Sequence, residues 1–193
     1  MLQTVFLLSF ALVPIGEIDA LKGEIVHTRA VLFAVEEGRA YTHRDPQETV
    51  RPPKGAVAIA APEVCKKDKR ITVTLPLGEA ETAVAQTQGA VGPISNATIL
   101  LVRGGPADDL LGYAPYYVRV YDKGELVASY DMRADSYPCS VLIDNFDEVN
   151  GNEVAVGWLS VAAGYTAGAT IFRLEEREPE REGGREAGDW RWE

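Results

Sequence analysis

Apolar residues in this chain recur with a period of two, as in YYVRVYD at 116–122 and ELVASYD at 125–131, and long helical periodicity is scarce. Similar short runs occur at 24–35, 56–61, 70–75, 97–103, 140–144, 153–159 and 169–174. Pro46, Pro52, Pro53, Pro62, Pro76, Pro93, Pro106, Pro115 and Pro138 fall at run edges or between runs, where a missing amide donor costs no ladder bond. Two hairpin turns are signalled, Asp122-Lys123-Gly124-Glu125 and Glu36-Glu37-Gly38-Arg39, each with a glycine free to take the positive φ of a tight turn. The pattern predicts an all-β domain, a β-sandwich or a compact propeller-like arrangement of antiparallel hairpins.

Both ends differ in character from the middle. Residues 1–20 hold an apolar run from Val5 to about Ile15, then Gly16, then the small Ala20 before Leu21. That run suits a signal peptide and is shorter than the roughly 20 residues a bilayer span needs. No Lys or Arg precedes it, and the competing readings are a buried first strand or helix and a retained anchor. The expectation is export with cleavage after Ala20, no membrane span, and a secreted or periplasmic location. Residues 175–193 alternate acids and arginines around Pro179, Gly183, Gly184 and Gly188, which predicts a disordered charged tail carrying Trp190 and Trp192. The β-domain is then 21–174.

A formal net charge of -10 repels a nucleic-acid backbone, so nucleic acid is excluded as the expected partner. The two cysteines, Cys65 and Cys139, make no C-x-x-C pair and no zinc set. Two readings stay open: a disulfide closing a long loop, or two separately buried thiols.

The stretch VLIDNFDEVNGNEVAVG at 141–157 sets acids and amides between two apolar runs. As a hairpin, its Asn150-Gly151 is a strong turn signal. As a cation site, Asp144, Asn145, Asp147, Asn150, Asn152 and Glu153, with Glu148 beside them, supply the hard oxygens that calcium (Ca2+) takes in a curled loop. This stretch resembles the FG-GAP type repeat of integrin-like β-propellers, in which a D-x-[DN]-x-D-G-x-x-[DE] loop precedes a short apolar strand. The matching residues are Asp147, Asn150, Gly151 and Glu153, then Val154-Ala155-Val156-Gly157. The resemblance covers about residues 115–174 and implies a blade-like unit with a structural calcium loop. The sequence departs from the pattern because Val149 falls on a ligand place when counting from Asn145, and Glu153 arrives one residue early when counting from Gly151.

Catalytic signatures are sparse. G-x-S-x-G, a P-loop, H-E-x-x-H and a helix-opening G-x-G-x-x-G are missing, and His43-Arg44-Asp45 lacks the other parts of a kinase. The paired acids Glu36-Glu37 and Asp108-Asp109 are the candidates for a hydrolase. Tyrosines crowd one hairpin, and strand alternation puts Tyr117, Arg119 and Tyr121 on one face. Left open, that face suits recognition of protein or glycan; the alternative is aromatic packing within the sheet. The expected function is therefore an exported, non-enzymatic β-domain that binds a protein or glycan partner. The alternatives are a secreted hydrolase using paired carboxylates and a structural envelope component docked through its tail.

Overall fold

The computed structural model describes residues 9–65, 70–105, 114–132, 136–160 and 165–177, and over them the chain is almost wholly antiparallel strand. In chain order these are β1 (Ser9–Ala20), β2 (Glu24–Thr28), β3 (Val31–Glu36), β4 (Arg39–Thr42), β5 (Val57–Ala60), the single-turn α1 (Pro62–Cys65), β6 (Thr82–Val91), β7 (Ile94–Arg103), β8 (Tyr116–Asp122), β9 (Glu125–Asp131), β10 (Ser136–Asp144), β11 (Glu153–Ser160) and β12 (Thr166–Arg177). They form three four-stranded sheets in the orders β1-β12-β11-β10, β4-β3-β2-β5 and β6-β7-β8-β9.

The first of these sheets is the middle layer. One face packs Leu12, Val154, Val156, Phe172 and Leu174 against Ile99, Leu101, Val118 and Val120 of the β6–β9 sheet. The other packs Ile18, Ala155, Leu159, Ala169 and Ile171 against Ile25, Leu32, Ala34 and Ile59 of the β2–β5 sheet. A strand covered on both faces needs an apolar residue at every position, and β11 and β12 have the near-continuous runs this requires. Close approach also needs small residues: a Cβ on Gly157 would lie 2.4 Å from the carbonyl oxygen of Ile59 on β5. At its margins the middle sheet meets the β6–β9 sheet again, with β10 beside β6 and β1 beside β9.

Both glycine turns join strands as expected. Lys123 and Gly124 take φ of 50° and 88° between Asp122 and Glu125, and Glu37 and Gly38 take 50° and 77° between Glu36 and Arg39. The run at 24–35 is instead two strands, folded at Arg29 and Ala30 with φ of 47° and 58°. Residues 70–75 form no strand beyond a single bridge from Ile71 to Ala83. Their Val73 and Leu75, with Leu77, lie on Leu100, Val102 and Tyr121, the outer face of the β6–β9 sheet.

Residues 9–20 are strand β1, paired with β12 along its length from Ser9–Arg177 to Ala20–Ala167. Leu12, Ile18 and Ala20 are buried. Cleavage after Ala20 would strip β12 of this partner and open both cores. The same pairing carries β12 past the boundary expected at residue 174, to Arg177; residues 178–193, with Trp190 and Trp192, lie outside the described residues. The stretch 115–174 is divided, with β8 and β9 in one sheet and β10 to β12 in another, rather than forming one blade. Cys65 and Cys139 are joined in a disulfide, with Cα atoms 5.0 Å apart, that ties α1 to β10 of the middle sheet.

Candidate functional site

The middle sheet changes polarity along its length. On the face toward β6–β9, β11 runs Val154, Val156, Trp158, Ser160, while β12 runs Leu174, Phe172, Thr170, Gly168, Thr166. A register shift between Pro14 and Gly16 lets β1 continue this face from Leu12 through Pro14 to Glu17 and Asp19, while Ile18 and Ala20 turn to the other core. At the end where this face becomes polar, the two sheets leave a cavity of about 300 Å³.

Its floor is buried and partly aromatic: Phe172 and Trp158, with Met132 and Thr166 beside them. Tyr130 tilts over Phe172 with ring centroids 4.8 Å apart. Glu17 and Asp19 stand exposed at the mouth. Their Cα atoms are roughly 7 Å apart, since a strand advances about 3.4 Å per residue and both side chains point the same way. The indole of Trp158 lies flat over β12 where Gly168 has no side chain, and its Nε1–H donates to Thr170 Oγ1 at 3.0 Å. With its one donor satisfied, Trp158 offers the cavity only its ring.

The acid-and-amide cluster forms a loop closed by the Asp144–Glu153 pair. Most of its polar side chains are engaged within the protein. Asp144 faces His27 Nε2 at 3.2 Å, and Asn145 accepts the Glu148 amide while donating to the Val149 carbonyl, both at 2.7 Å. Asp147 accepts the Val149 amide at 2.8 Å and pairs with Arg173. Asn152 donates to the Ala90 carbonyl at 3.1 Å, and Asn150 is exposed at the tip. Arg44 donates to the Phe146 carbonyl from Nε and Nη2, and to Glu148 from Nη1. Glu153, 2% exposed, accepts the Phe146 amide at 2.8 Å. Burial raises the Glu153 carboxyl above its ordinary value; the Phe146 amide opposes the rise and neighbouring Asp147 adds to it. Burial acts the same way on Asp147, but the Val149 amide and Arg173 outweigh it and hold that carboxyl below its ordinary value. Among the described residues, no three His, Cys, Asp or Glu side chains are grouped to hold a metal ion.

Tyr117, Arg119 and Tyr121 do share a face, but that face is covered. Arg119 is gripped by both carboxylate oxygens of Glu81 at 2.6 and 2.7 Å and stacks over Tyr117 at 5.2 Å. Tyr121 is 2% exposed under the 73–77 segment, its hydroxyl reaching the Pro76 carbonyl at 3.4 Å. An open recognition surface is therefore replaced by packing, because residues 70–81 lie across it instead of forming a strand elsewhere. Of the paired acids, Glu36 and Glu37 sit at the β3–β4 turn, where Glu36 accepts the Lys22 amide, and Asp108-Asp109 lies outside the described residues.

Neither the acids nor the indole stands out in the sequence, because Glu17 and Asp19 fall in a segment that suits a leader and Trp158 in one of the short alternating runs. The i, i+2 spacing of the two acids was the one available signal. Family models, curated proteins and solved structures all return no match to this chain.

Proposed function

We propose that the chain is a non-enzymatic binding domain that takes a group of a protein or glycan partner into the end cavity of the sandwich. The supporting observation is the cavity itself: an aromatic floor, lining Ser136, Ser160, Thr166 and Thr170, and two acids at the mouth, the mixture of apolar wall and few polar groups that ligand sites have. Glu81 and the 73–77 segment cover the Tyr117–Arg119–Tyr121 face, which favours the cavity over it. The reading requires β1 to stay with the mature chain, since it carries both mouth acids. The Cys65–Cys139 disulfide supports an oxidising compartment, outside the cell or in a periplasm. The 144–153 loop is a hairpin tip held by Arg44 and Arg173 in place of calcium.

A hydrolase is the second reading, because two carboxylates do meet in one cavity. Paired-carboxylate hydrolysis needs them on opposite sides of the scissile bond. Glu17 and Asp19 stand side by side on one strand, a wall rather than a vice, which favours binding.

The test is amide and indole NMR of the ¹⁵N-labelled chain against a panel of amines, neutral saccharides and short peptides. Binding in the cavity moves the Trp158 Nε1–H signal, identified by its loss in Trp158→Phe, together with amides of 17–19 and 166–170. Ligands that move only signals remote from these would overturn the reading.

A further inference from the structure

We propose that residues 71–81 are a displaceable strap over a second binding face, which a partner protein occupies with an extended segment of the strap's own pattern. That face is the outer side of the β6–β9 sheet, turned away from the end cavity, and the inference is independent of the cavity.

The first observation is how unequally the two sides of this contact are buried. Beneath the strap, Ala83, Leu100, Val102 and Tyr121 are at most 2% exposed and form an apolar cluster separate from the two cores. Above it, every residue from Ile71 to Glu81 is half-buried or exposed. The strap is a single layer of chain, and lifting it uncovers this cluster while leaving both cores closed.

The second observation is the fastening. Among the described residues, the strap's backbone meets the sheet through one bridge, Ile71 N–H to the Ala83 carbonyl at 3.0 Å, and through the Tyr121 hydroxyl, 3.4 Å from the Pro76 carbonyl. Its downstream end is tied by one side-chain pair. Arg119 donates to both carboxylate oxygens of Glu81, and Oε2 of that carboxylate also accepts the Gly78 amide. A single carboxylate therefore closes the strap's turn and fastens it to β8. Segments with few ladder bonds and no buried residue of their own open at lower cost than the strands they lie on.

The third observation identifies the occupant. Val73, Leu75 and Leu77 alternate with exposed Thr72, Thr74 and Pro76, so an extended chain sets every second side chain on the sheet. Arg119, stacked over Tyr117, presents a planar guanidinium that a carboxylate pairs bidentately. The seat thus reads apolar residues at i, i+2 and i+4 with an acid four positions on, the spacing from Val73 through Leu77 to Glu81. A partner segment with that pattern makes every one of these contacts. The strap, tethered beside its seat, competes at high effective concentration, so the partner's apparent affinity scales with the fraction of chains whose strap is open.

The experiment is fluorescence anisotropy of a labelled synthetic peptide of residues 71–81 with the full chain and two variants. Leu75→Ser/Leu77→Ser weakens the strap and leaves the seat intact; adding Arg119→Met removes the carboxylate's partner. The peptide binds the strap variant about tenfold more tightly than the wild type, and Arg119→Met removes that gain. A peptide carrying Leu75→Asp binds none of the three. Thermal melts verify that the variants are folded. Equal affinity for wild type and strap variant, or no binding to a folded strap variant, overturns the inference and makes the strap a fixed cover of the sheet. Hydrogen exchange tests the same opening in the wild type. The Ile71 amide exchanges about a hundredfold faster than the amides of β7 and β8, and excess peptide speeds it further by displacing the strap. Exchange of Ile71 only through global unfolding, unmoved by peptide, overturns the inference as well.

Discussion

Trp158 and Gly168 occupy facing positions on β11 and β12, and the indole fills the space that any side chain at 168 would take, with three ring carbons within 2.6 Å of where a Cβ would stand. The floor of the cavity therefore depends on a residue with no side chain.

Gly168→Ala should displace the indole and destabilise the fold by about 1–3 kcal/mol, the usual result of inserting volume into a packed layer. The same change in a Trp158→Leu background should cost much less, because the two sites are in contact. Denaturant unfolding of the four proteins in this cycle measures the coupling; additive costs would show that the indole does not rest on Gly168.

The Glu81–Arg119 pair should make stability sensitive to acid. Its hydrogen bonds to Arg119 hold the Glu81 carboxyl below its ordinary value. A depressed carboxyl contributes stability above its unfolded pKa and loses it as pH falls through the folded one. Glu81→Gln should cost about 1–3 kcal/mol at neutral pH, in the range of charged hydrogen bonds, and flatten the acid limb of the stability profile. A variant as acid-sensitive as the wild type would place the sensitive group elsewhere.

Arginines, not calcium, should hold the 144–153 loop. Arg173→Met leaves Asp147 beside the buried Glu153 without its counter-charge and should lower stability by about 1–3 kcal/mol. Millimolar calcium should leave the wild-type melting midpoint where chelator leaves it, since only a ligand that binds the native state raises it. A calcium-dependent rise abolished by Asp147→Ala would restore the cation loop.

The sequence made the alternating strands legible, and the hairpin at Lys123-Gly124 could be placed to the residue because glycine announces its turn. The β2–β3 turn was hidden because Arg29 and Ala30 adopt left-handed backbone that neither residue type favours, at roughly 1–2 kcal/mol each, so packing decides the turn rather than local preference. Strand β6, TAVAQTQGAV, does not stand out in the sequence because Gln, Thr and Gly dilute its apolar positions. The run at 70–75 alternates like a strand, yet its apolar residues cover the Tyr121 face, and no pattern within the run distinguishes those outcomes. The cavity was hidden more deeply. An apolar first segment reads as a leader whether it is cleaved or paired, and only the β1–β12 register reveals that Glu17 and Asp19 face Trp158's side of the sheet.

Everything proposed for the cavity requires β1 to be a strand of the folded protein, and hydrogen exchange tests that most directly. The amides of residues 10–20 that pair with β12 should exchange as slowly as those of β11 in the middle of the same sheet, opening only with global unfolding. A chain beginning at residue 21 should lose this protection across β12 and melt at a markedly lower temperature. Fast exchange throughout 10–20, with an unchanged melt on truncation, would mean that β1 is dispensable and that the cavity with its two acids is not the working site.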